Sequence, residues 1–464
     1  MPSYRLTPDP INSKGNIVAG DPAMRDKDRV LLGRSIESGP NRELWLDISG
    51  EQVVAIFGKR GTGKSYTLGV LLEGLSAGPG ETRISKLSTP RGALVFDIMD
   101  IYWTSTISLT ESGPHEIVNQ YKGMKSKGYA TQTLNIDVWM PSGFERADID
   151  PPGVNTLRIS PSELALDDWS ALFDVDVYTE PRGMLIADLV AHVKNGYQNI
   201  DGTAAAGTQS FSFEDLLKCL ENDAEILNNY QDLTRRSIRQ RMTTYASLSV
   251  FQGKTPLSEL LRPFRSSILM LGRAPDELKK VLVSVLLRGI LRNRRDVSFA
   301  RKRLDLDANL TEEDRKSLEA FVAEGLPRTW ILMDEAHVLA AAGQASVASE
   351  SLIKYAKEGR NYGLSLAVAT QQPSALDARL LSQVETLICH QLTAPADATL
   401  AARAMRSPSP SEILIDGERS DMEGLLRRLG QGEAVFSCGN APALNRSCLV
   451  SIRPRLTAHG GYEA

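Results

Sequence analysis

Long apolar runs are missing from this sequence. No stretch of its 464 residues approaches the ~18 consecutive apolar residues that a membrane-spanning helix needs. The N-terminus also lacks the charged-then-apolar pattern of a secretory signal. We therefore expect a cytoplasmic protein that does not enter a membrane.

Cysteine, aromatic residues and excess positive charge are also scarce. The four cysteines are scattered without the spacing of metal ligands, which favours reduced thiols over a disulfide framework. Aromatic residues make up 6% of the chain and do not alternate with basic runs, which disfavours a surface that stacks on single-stranded bases. The formal net charge of −4 weakens the case for a broad nucleic-acid-binding surface. It leaves a local basic surface open, as along the pore of a ring.

Two arginine-rich segments are candidates for such a local surface. Arg235 and Arg239 are four residues apart and so share a helix face. A solvated face paired with nearby acids remains an equally good interpretation of each segment. The first cluster is Arg235, Arg236, Arg239 and Arg241, and the second spans Arg288 to Arg303 and includes Arg292, Arg294, Arg295, Arg301 and Lys302.

A glycine-rich segment, GKRGTGKS at 58–65, lies between the apolar run VVAIF and the helix-like LGVLLEGL. Backbone N–H groups of such a turn surround a phosphate where no side chains intrude, and the helix N-terminus favours negative charge. The flanking strand and helix distinguish a phosphate-binding loop from a merely glycine-rich turn. Lys64 is predicted to reach the phosphates of ATP and Ser65 to bind Mg²⁺. The residues predicted to contact the nucleotide are Gly58, Gly61, Thr62, Gly63, Lys64, Ser65 and Tyr66.

A second apolar strand, TWILM at 329–333, ends in Asp334 and Glu335. Asp334 is predicted to hold Mg²⁺ through its water shell, and Glu335 to polarise the water that attacks ATP. The alternative is that the two acids only cap the helix that follows, because acids favour the first turn of a helix. The letters DEAH also occur in RNA helicases. We find no arginine-rich motif of the QxxGRxGR kind downstream, so that group is weakly supported.

Further segments follow in a characteristic order. KEGRNYG at 357–363 precedes the strand LSLAVA, which ends in TQQPS at 370–374; LGQGEAVFSCG stands at 429–439 and RPRLTAHGG at 453–461. In this order they resemble the HerA branch of the HerA/FtsK family of ring-shaped DNA-pumping ATPases. The resemblance extends from about residue 44 to residue 461.

This resemblance implies roles for two further residues. Arg360 resembles the arginine finger that one subunit supplies to its neighbour's ATP, where a planar, permanently charged guanidinium suits phosphate oxygens. Gln371 resembles a sensor of the γ-phosphate or the attacking water, because an amide donates and accepts hydrogen bonds. The alternatives are a solvated arginine and a capping amide. Asn361 stands where the family often has a basic residue.

The segment DIMDIYW at 97–103 corresponds to a family segment of the form DPHGEY. Asp97 and Tyr102 match that form, whereas its proline, histidine, glycine and glutamate do not. Both a place near the Mg²⁺ water shell and a structural role remain open for this pair.

The length exceeds that of one usual core, and strands alternate with helices, so we expect two or three units around a mostly parallel sheet. The predicted fold is a RecA-like P-loop NTPase core of the α/β class with an inserted helical bundle and a small N-terminal β segment. The predicted divisions are an assembly segment resembling a partial HerA-type barrel at 1–48, core at 49–149, helical insertion at 150–265, core at 266–440 and a tail packing on the ring at 441–464. Helix-like spacing covers Leu164–Phe173, Met184–Val193, Phe213–Leu227, Leu233–Phe251 and Asp276–Arg294, and 266–271 is predicted to be a strand.

Three functional classes are compatible with these features. The first is a homo-hexameric Mg·ATP-hydrolysing motor on double-stranded DNA, working with a separate nuclease or effector in DNA end processing or anti-phage defence. The second is an ATP-gated ring that scaffolds a defence effector with little translocation. The third, a membrane-linked pump, is disfavoured because no membrane segment is evident in the sequence.

Overall fold

The computed structural model describes residues 17–19, 28–36, 42–405, 413–415, 418–439 and 447–461. The predicted N-terminal segment 1–48 and tail 441–464 therefore lie partly outside the described residues. The strands are β1 (Ile17–Ala19), β2 (Arg29–Ser35), β3 (Glu43–Asp47), β4 (Val53–Phe57), β5 (Gly80–Glu81), β6 (Ser85–Leu87), β7 (Arg91–Asp97), β8 (Ile136–Pro141), β9 (Asn155–Leu157), β10 (Gly196–Gln198), β11 (Ala204–Ala206), β12 (Ser266–Met270), β13 (Arg328–Met333), β14 (Leu364–Thr370), β15 (Thr386–Cys389), β16 (Ile413–Ile415), β17 (Glu418–Ser420), β18 (Glu433–Cys438) and β19 (Cys448–Ile452).

Helices connect and cover these strands. They are α1 (Lys64–Leu75), α2 (His115–Ser126), α3 (Leu166–Phe173), α4 (Pro181–Asn195), α5 (Phe213–Asn222), α6 (Ala224–Asn229), α7 (Asp232–Ala246), α8 (Leu257–Leu260), α9 (Asp276–Leu306), α10 (Glu312–Glu324), α11 (Val347–Gly359), α12 (Ala378–Leu381), α13 (Pro395–Ala404) and α14 (Met422–Arg428). Short 3₁₀ turns lie at Tyr102–Thr106, Pro161–Glu163, Ser249–Phe251, Ala336–Val338, Arg360–Tyr362 and Pro373–Ala375. In the described ranges, no helix is both long enough and apolar enough to cross a bilayer.

One large sheet organises the molecule. Its strand order is β1-β3-β2-β19-β18-β15-β4-β14-β13-β7-β12-β8-β9, and β6 adds to β2 and β5 to β6. All strands from β15 to β9 run parallel, whereas the joins from β15 back through β18, β19, β2 and β3 are antiparallel. The predicted α/β class with a mostly parallel sheet is confirmed.

The two faces of the sheet are both buried, which explains why its central strands are continuously apolar. In β4, Val54 and Ile56 pack with α1 residues such as Leu68 and Leu72 on one face. Ala55 and Phe57 face the other side, where α9 and α11 pack. Because all the central strands are parallel, their carboxyl ends meet at one edge, where ligands bind in open α/β sheets.

The N-terminal strands β2 and β3 extend the same sheet by pairing with β19. The assembly role and barrel character assigned to this segment stay predictions. Between β9 and β12 the chain forms α3 to α8, the region predicted as a helical insertion, and the strand expected at 266–271 is present as β12. The domain boundaries themselves stay predictions.

Several helix bounds differ from the spacing-based expectation. The single helix expected at 213–227 is divided into α5 and α6, because Asp223 leaves the helical conformation and its carboxylate accepts hydrogen bonds from the N–H groups of Glu225 and Ile226. The helix expected to end at Arg294 continues to Leu306. Its last third is amphipathic and packs against α10, so charge in that part did not mark a helix end.

Candidate nucleotide-binding site

The glycine-rich segment forms the turn between β4 and α1. Gly63 has φ +117° and directly precedes α1, a conformation that side chains rarely adopt. Gly58 is restricted by space, because a Cβ there would lie 2.8 Å from Cβ of His390. Both positions therefore require glycine, and the turn leads directly into the N-terminus of α1, as in helices that bind phosphate at their N-terminus.

Lys64 lies between the two predicted carboxylates. Its Nζ is 2.7 Å from Oδ1 of Asp334 and 2.9 Å from Oε1 of Glu335, and it also donates to Oγ of Ser65 at 3.2 Å. Less than a tenth of each of these three charged side chains is exposed. The chain thus brings together residues that are 270 positions apart in sequence, because β4 and β13 end at the same edge of the sheet.

Asp334 is held as a carboxylate. Burial alone would raise its pKa, but the Lys64 ammonium and hydrogen bonds from Lys64, Ser65 and Tyr102 lower the pKa of Asp334 below its usual range. The hydroxyl of Tyr102 donates to Oδ2 of Asp334 at 2.8 Å. An ionised carboxylate with a fixed orientation is a suitable ligand for a hard cation such as Mg²⁺.

Glu335 has one engaged oxygen and one unengaged oxygen. Gln371, at the end of β14, donates from Nε2 to Oε1 of Glu335. Oε2 is buried and accepts no hydrogen bond from the described residues, although Nδ1 of His337 lies 3.4 Å away. A buried acceptor without a donor is unusual, and it is the arrangement that a water-activating base requires.

Asp97 and Tyr102 have different positions. Tyr102 touches the site through Asp334 and through the carbonyl of Ser65 at 3.2 Å. Asp97 accepts the backbone N–H of Tyr102 at 2.7 Å, and burial raises the pKa of Asp97 to about 7. Asp97 therefore anchors the turn that carries Tyr102, and Tyr102 orients the predicted magnesium ligand.

Comparison with known proteins places this geometry in a family. A model of the central domain of helicase HerA matches residues 32–290, more than half of the chain. This chain belongs to the HerA family. The matched range includes the phosphate-binding loop and ends before Asp334.

Individual relatives agree with this assignment. The DNA double-strand break repair helicase HerA of Pyrococcus furiosus is 27% identical over 43% of this chain and 35% of its own length. That of Saccharolobus solfataricus is 22% identical over 90% of this chain and 70% of its own length. The first match thus spans about a third of the relative. Among solved structures, VirB4 of Thermoanaerobacter pseudethanolicus shares the fold, with 17% identity, a TM-score of 0.50 and coverage of 91% of this chain and 96% of that one.

The HerA-like segment LGQGEA forms hydrogen bonds with the phosphate-binding loop. Gly432 donates its backbone N–H to the carbonyl of Thr62 at 3.1 Å, and Nε2 of Gln431 donates to the carbonyl of Gly61 at 3.3 Å. The motif that carried the resemblance is therefore part of the cradle.

His390 was missed by the sequence reasoning. It follows β15, is fully buried, and donates from Nδ1 to the carbonyl of Glu433 while Nε2 accepts from the Thr67 hydroxyl, both at 2.8 Å. Burial lowers its pKa to about 4, so the ring is neutral. The available signal was a histidine directly after an apolar strand, in a chain with five histidines.

Arg360 lies at the amino ends of the parallel strands, whereas the phosphate-binding loop of the same chain lies at their carboxyl ends. It precedes β14 and Gln371 follows it, so seven strand residues, about 23 Å at ~3.3 Å each, separate Arg360 from the nucleotide edge. Its side chain is 68% exposed and pairs with Glu385 at 2.9 Å. Buried Arg294 fixes the turn that bears Arg360, donating to the carbonyls of Tyr362 and Leu326 at 2.9 and 2.7 Å.

The two arginine clusters differ in how far they are engaged within the chain. In the first, Arg235 and Arg236 pair with Asp232, Arg239 pairs with Glu221, and Arg241 donates to a backbone carbonyl. In the second, Arg288 pairs with Asp168, and Arg294 is structural as described above. The exposed members of the second cluster that form no ion pair within the described ranges are Arg292, Arg295, Arg301 and Lys302.

Tyr66 and the segment after β19 join the site to the C-terminal part of the chain. Oη of Tyr66 accepts the backbone N–H of Arg455 at 2.7 Å, and its ring packs edge-on against His459. Glu73 of α1, which has no exposed side-chain surface, binds Arg453 and Arg455. A predicted nucleotide contact therefore also docks the RPRLTAHGG segment on the helix that follows the loop.

Proposed function

We propose that this chain is a Mg²⁺-dependent ATP hydrolase that works as a ring on double-stranded DNA. The observation that carries the proposal is the cluster of Lys64, Asp334, Glu335 and Gln371 beside the glycine-rich turn. The four side chains come from the ends of two neighbouring parallel strands, β13 and β14, and from the first residue of α1. HerA relatives named as DNA repair helicases support the choice of DNA.

Lys64 exchanges its partners when ATP binds. In this structure its ammonium neutralises Asp334 and Glu335. The γ-phosphate of ATP offers the same ammonium more negative charge, and Lys64 then leaves the carboxylates. Ser65 and Asp334 would hold Mg²⁺, which neutralises charge on the phosphates. Both residues fit that role, since a hydroxyl and an ionised carboxylate are hard oxygen ligands.

Glu335 and Gln371 then act on the attacking water. The unengaged Oε2 of Glu335 accepts a proton from water, and Gln371 fixes Oε1 so that the carboxylate keeps its orientation. The left-handed backbone of Glu335, with φ +49°, is a strained conformation for this residue type, and such strain concentrates at functional sites.

Arg360 is proposed to act on the neighbouring subunit. It cannot reach its own nucleotide edge across the length of β14, and it is exposed. A head-to-tail interface that places one subunit's Arg360 at the next subunit's ATP closes into a ring when the rotation fits. A homo-hexamer is the expected ring, working with a separate nuclease or effector in end processing or defence.

Double-stranded DNA is proposed to contact the exposed end of α9. Arg292, Arg295, Arg301 and Lys302 are exposed and form no ion pair within the described ranges, so we expect them to contact phosphates. Phosphate contacts release counterions, so binding should weaken as salt rises. Replacing both Arg292 and Arg295 with Gln should lower DNA affinity and reduce the salt slope by about one per charge removed. The matched control is Arg236 and Arg239, which are exposed but paired within the chain.

The decisive experiment compares Glu335→Gln with Glu319→Gln, a change on the exposed face of α10. Glu335→Gln should bind ATP and hydrolyse it ~10²–10⁴-fold more slowly, whereas Glu319→Gln should match the parent chain. Near-normal turnover in Glu335→Gln would show that Glu335 is not the base that activates the water. A chain that hydrolyses ATP without responding to duplex DNA and without binding it at low salt would contradict the motor and favour the ATP-gated scaffold.

A further inference from the structure

Three side chains of metal-binding type meet far from the nucleotide site, at the junction of α4, α5 and α6. His192 lies in the last turn of α4, Cys219 in α5, and Asp223 between α5 and α6. One ligand atom from each lies within 4.8 Å of the other two. Nδ1 of His192 is 2.5 Å from Oδ2 of Asp223, and Sγ of Cys219 is 3.6 Å from the same oxygen.

The orientation of Asp223 is fixed by the helix that it caps. Its Oδ1 accepts backbone N–H groups of Glu225 and Ile226 at 2.8 and 3.3 Å. Oδ2 is thereby turned towards His192 and Cys219. Hydrogen bonds that hold a ligating carboxylate in place are typical of protein metal sites.

The charge of this cluster is incompletely balanced. The side chain of Asp223 is 1% exposed, and within the described ranges its ion-pair partner is His192 alone. A buried carboxylate without a permanent cation is costly. Oε2 of Glu225 lies 3.8 Å from Nε2 of His192, on the side where a carboxylate orients a metal-bound imidazole.

The spacing is close to that of a tetrahedral zinc site. Bonds of ~2.0–2.3 Å from zinc to N, O and S place neighbouring ligand atoms about 3.3–3.6 Å apart. The Sγ–Oδ2 separation already has this value, and the Nδ1–Oδ2 separation must open by about 0.8 Å to reach it. A nitrogen, a sulfur and a carboxylate oxygen together are the donors that zinc prefers over Mg²⁺.

We propose that Nδ1 of His192, Sγ of Cys219 and Oδ2 of Asp223 bind one divalent ion of the zinc class. The ion joins α4 to the α5–α6 junction. On binding, Cys219 releases its thiol proton to solvent, and His192 carries its proton on Nε2 rather than Nδ1. The thiolate and the carboxylate together then balance the two positive charges of the ion.

Without an ion, the same residues form a hydrogen-bonded group. Burial and the Asp223 carboxylate raise the pKa of the Cys219 thiol, so it stays protonated in the metal-free chain. The metal therefore competes with a proton for the sulfur of Cys219, as at other sites with thiol ligands. Cys389, Cys438 and Cys448 are also buried, and none of them belongs to a cluster of this kind in the part of the chain that the structure describes.

Titration of metal-stripped full-length chain with Co²⁺ tests the site. One equivalent should bind with a thiolate-to-cobalt charge-transfer absorption, and Zn²⁺ should displace it. Cys219→Ser should remove the charge-transfer band. His192→Gln should weaken binding at least ~10-fold, in line with the loss of a ligand or its support. Asp223→Asn keeps a capping oxygen. It therefore tests what the carboxylate contributes to metal binding while the helix cap is retained.

Controls separate this site from adventitious binding. His115 is exposed on α2, and His115→Gln should leave Co²⁺ affinity unchanged, as should Cys438→Ser. Circular dichroism of each variant reports whether it folds. The outcome of the metal titration does not affect the test of ATP hydrolysis by the parent chain. Failure to bind one equivalent, or binding that survives both Cys219→Ser and His192→Gln, overturns the proposal and leaves the hydrogen-bonded group.

Discussion

Replacing Glu73 with glutamine should destabilise the docking of the C-terminal segment on α1. Oε2 of Glu73 accepts from Arg453 at 2.7 Å. Oε1 accepts from the backbone N–H groups of Leu456 and Thr457 at 2.8 and 3.0 Å and from the Thr457 hydroxyl at 2.7 Å. Burial alone would raise the pKa of Glu73, but Arg453 and Arg455 lower it, so the buried carboxylate is ionised.

The magnitude follows from what the amide cannot do. Oxygen of the glutamine keeps the donors on the Oε1 side, so its NH₂ group faces the Arg453 guanidinium, a donor against a donor. Two buried guanidiniums lose their shared counterion. Removing one partner of a buried ion pair typically costs about 3–5 kcal/mol. At ~2 °C per kcal/mol for a large domain, the unfolding midpoint should fall by roughly 6–10 °C.

Thermal unfolding at pH 7.5 and a fixed scan rate measures this change. Glu81→Gln is the matched control, because Glu81 is 64% exposed and its ion pair with Arg29 is long, at 3.5 Å. Exposed ion pairs contribute little, so the control should unfold with the parent chain. Tryptic cleavage after Arg455 should become faster in Glu73→Gln alone. Equal midpoints in the two variants would show that the buried network does not hold the segment.

Three further outcomes are expected. Arg360→Ala and Lys64→Ala chains, each inactive alone, should recover ATP hydrolysis in verified mixed rings, because an arginine finger worth ~10³–10⁵ in rate is supplied by the neighbour; no recovery contradicts the trans arrangement. Arg294→Lys should lower kcat while leaving KM for ATP unchanged, because the turn bearing Arg360 loses the guanidinium contact to the carbonyl of Tyr362; a changed KM would point instead to damage at the nucleotide edge. Burial holds the pKa of His390 and His459 at about 4 against 6.5. Their contribution to stability is therefore complete above pH 6.5 and is lost as pH falls towards 4, by about 1.5 kcal/mol per histidine between pH 6.5 and 5; denaturant titrations that give equal stability at both pH values would refute it.

The main elements of the site could be predicted because each one is local in sequence. A strand followed by glycines, lysine and serine specifies a turn whose backbone geometry is nearly independent of the rest of the chain. The strand ending in Asp334 and Glu335 follows the same logic. Parallel strands then bring both segments to one edge, so the contact between Lys64 and Asp334 follows from topology once the sheet is assumed.

Other features depend on contacts that no local pattern specifies. Glu73 appeared only as a charged residue within an apolar helix, and its partners Arg453 and Arg455 lie about 380 positions away. The split between α5 and α6 arises because Asp223 uses its carboxylate as a cap, whereas hydrophobic spacing continues through it. His192 and Cys219 carry no shared motif, since their meeting depends on how α4 packs against α5.

In the proposed site, the ion pairs of Lys64 would make metal and nucleotide binding cooperative. A divalent ion that arrives alone must displace an ammonium from Asp334, and a nucleotide that arrives alone must separate the same ammonium from two carboxylates. When both arrive, each removes the obstacle to the other. Linkage then requires that the factor by which ATP raises the affinity for the ion equals the factor by which the ion raises the affinity for ATP. In the proposed site, a chain without ATP would therefore bind a free divalent ion weakly, and hydrolysis would require the ion and ATP together.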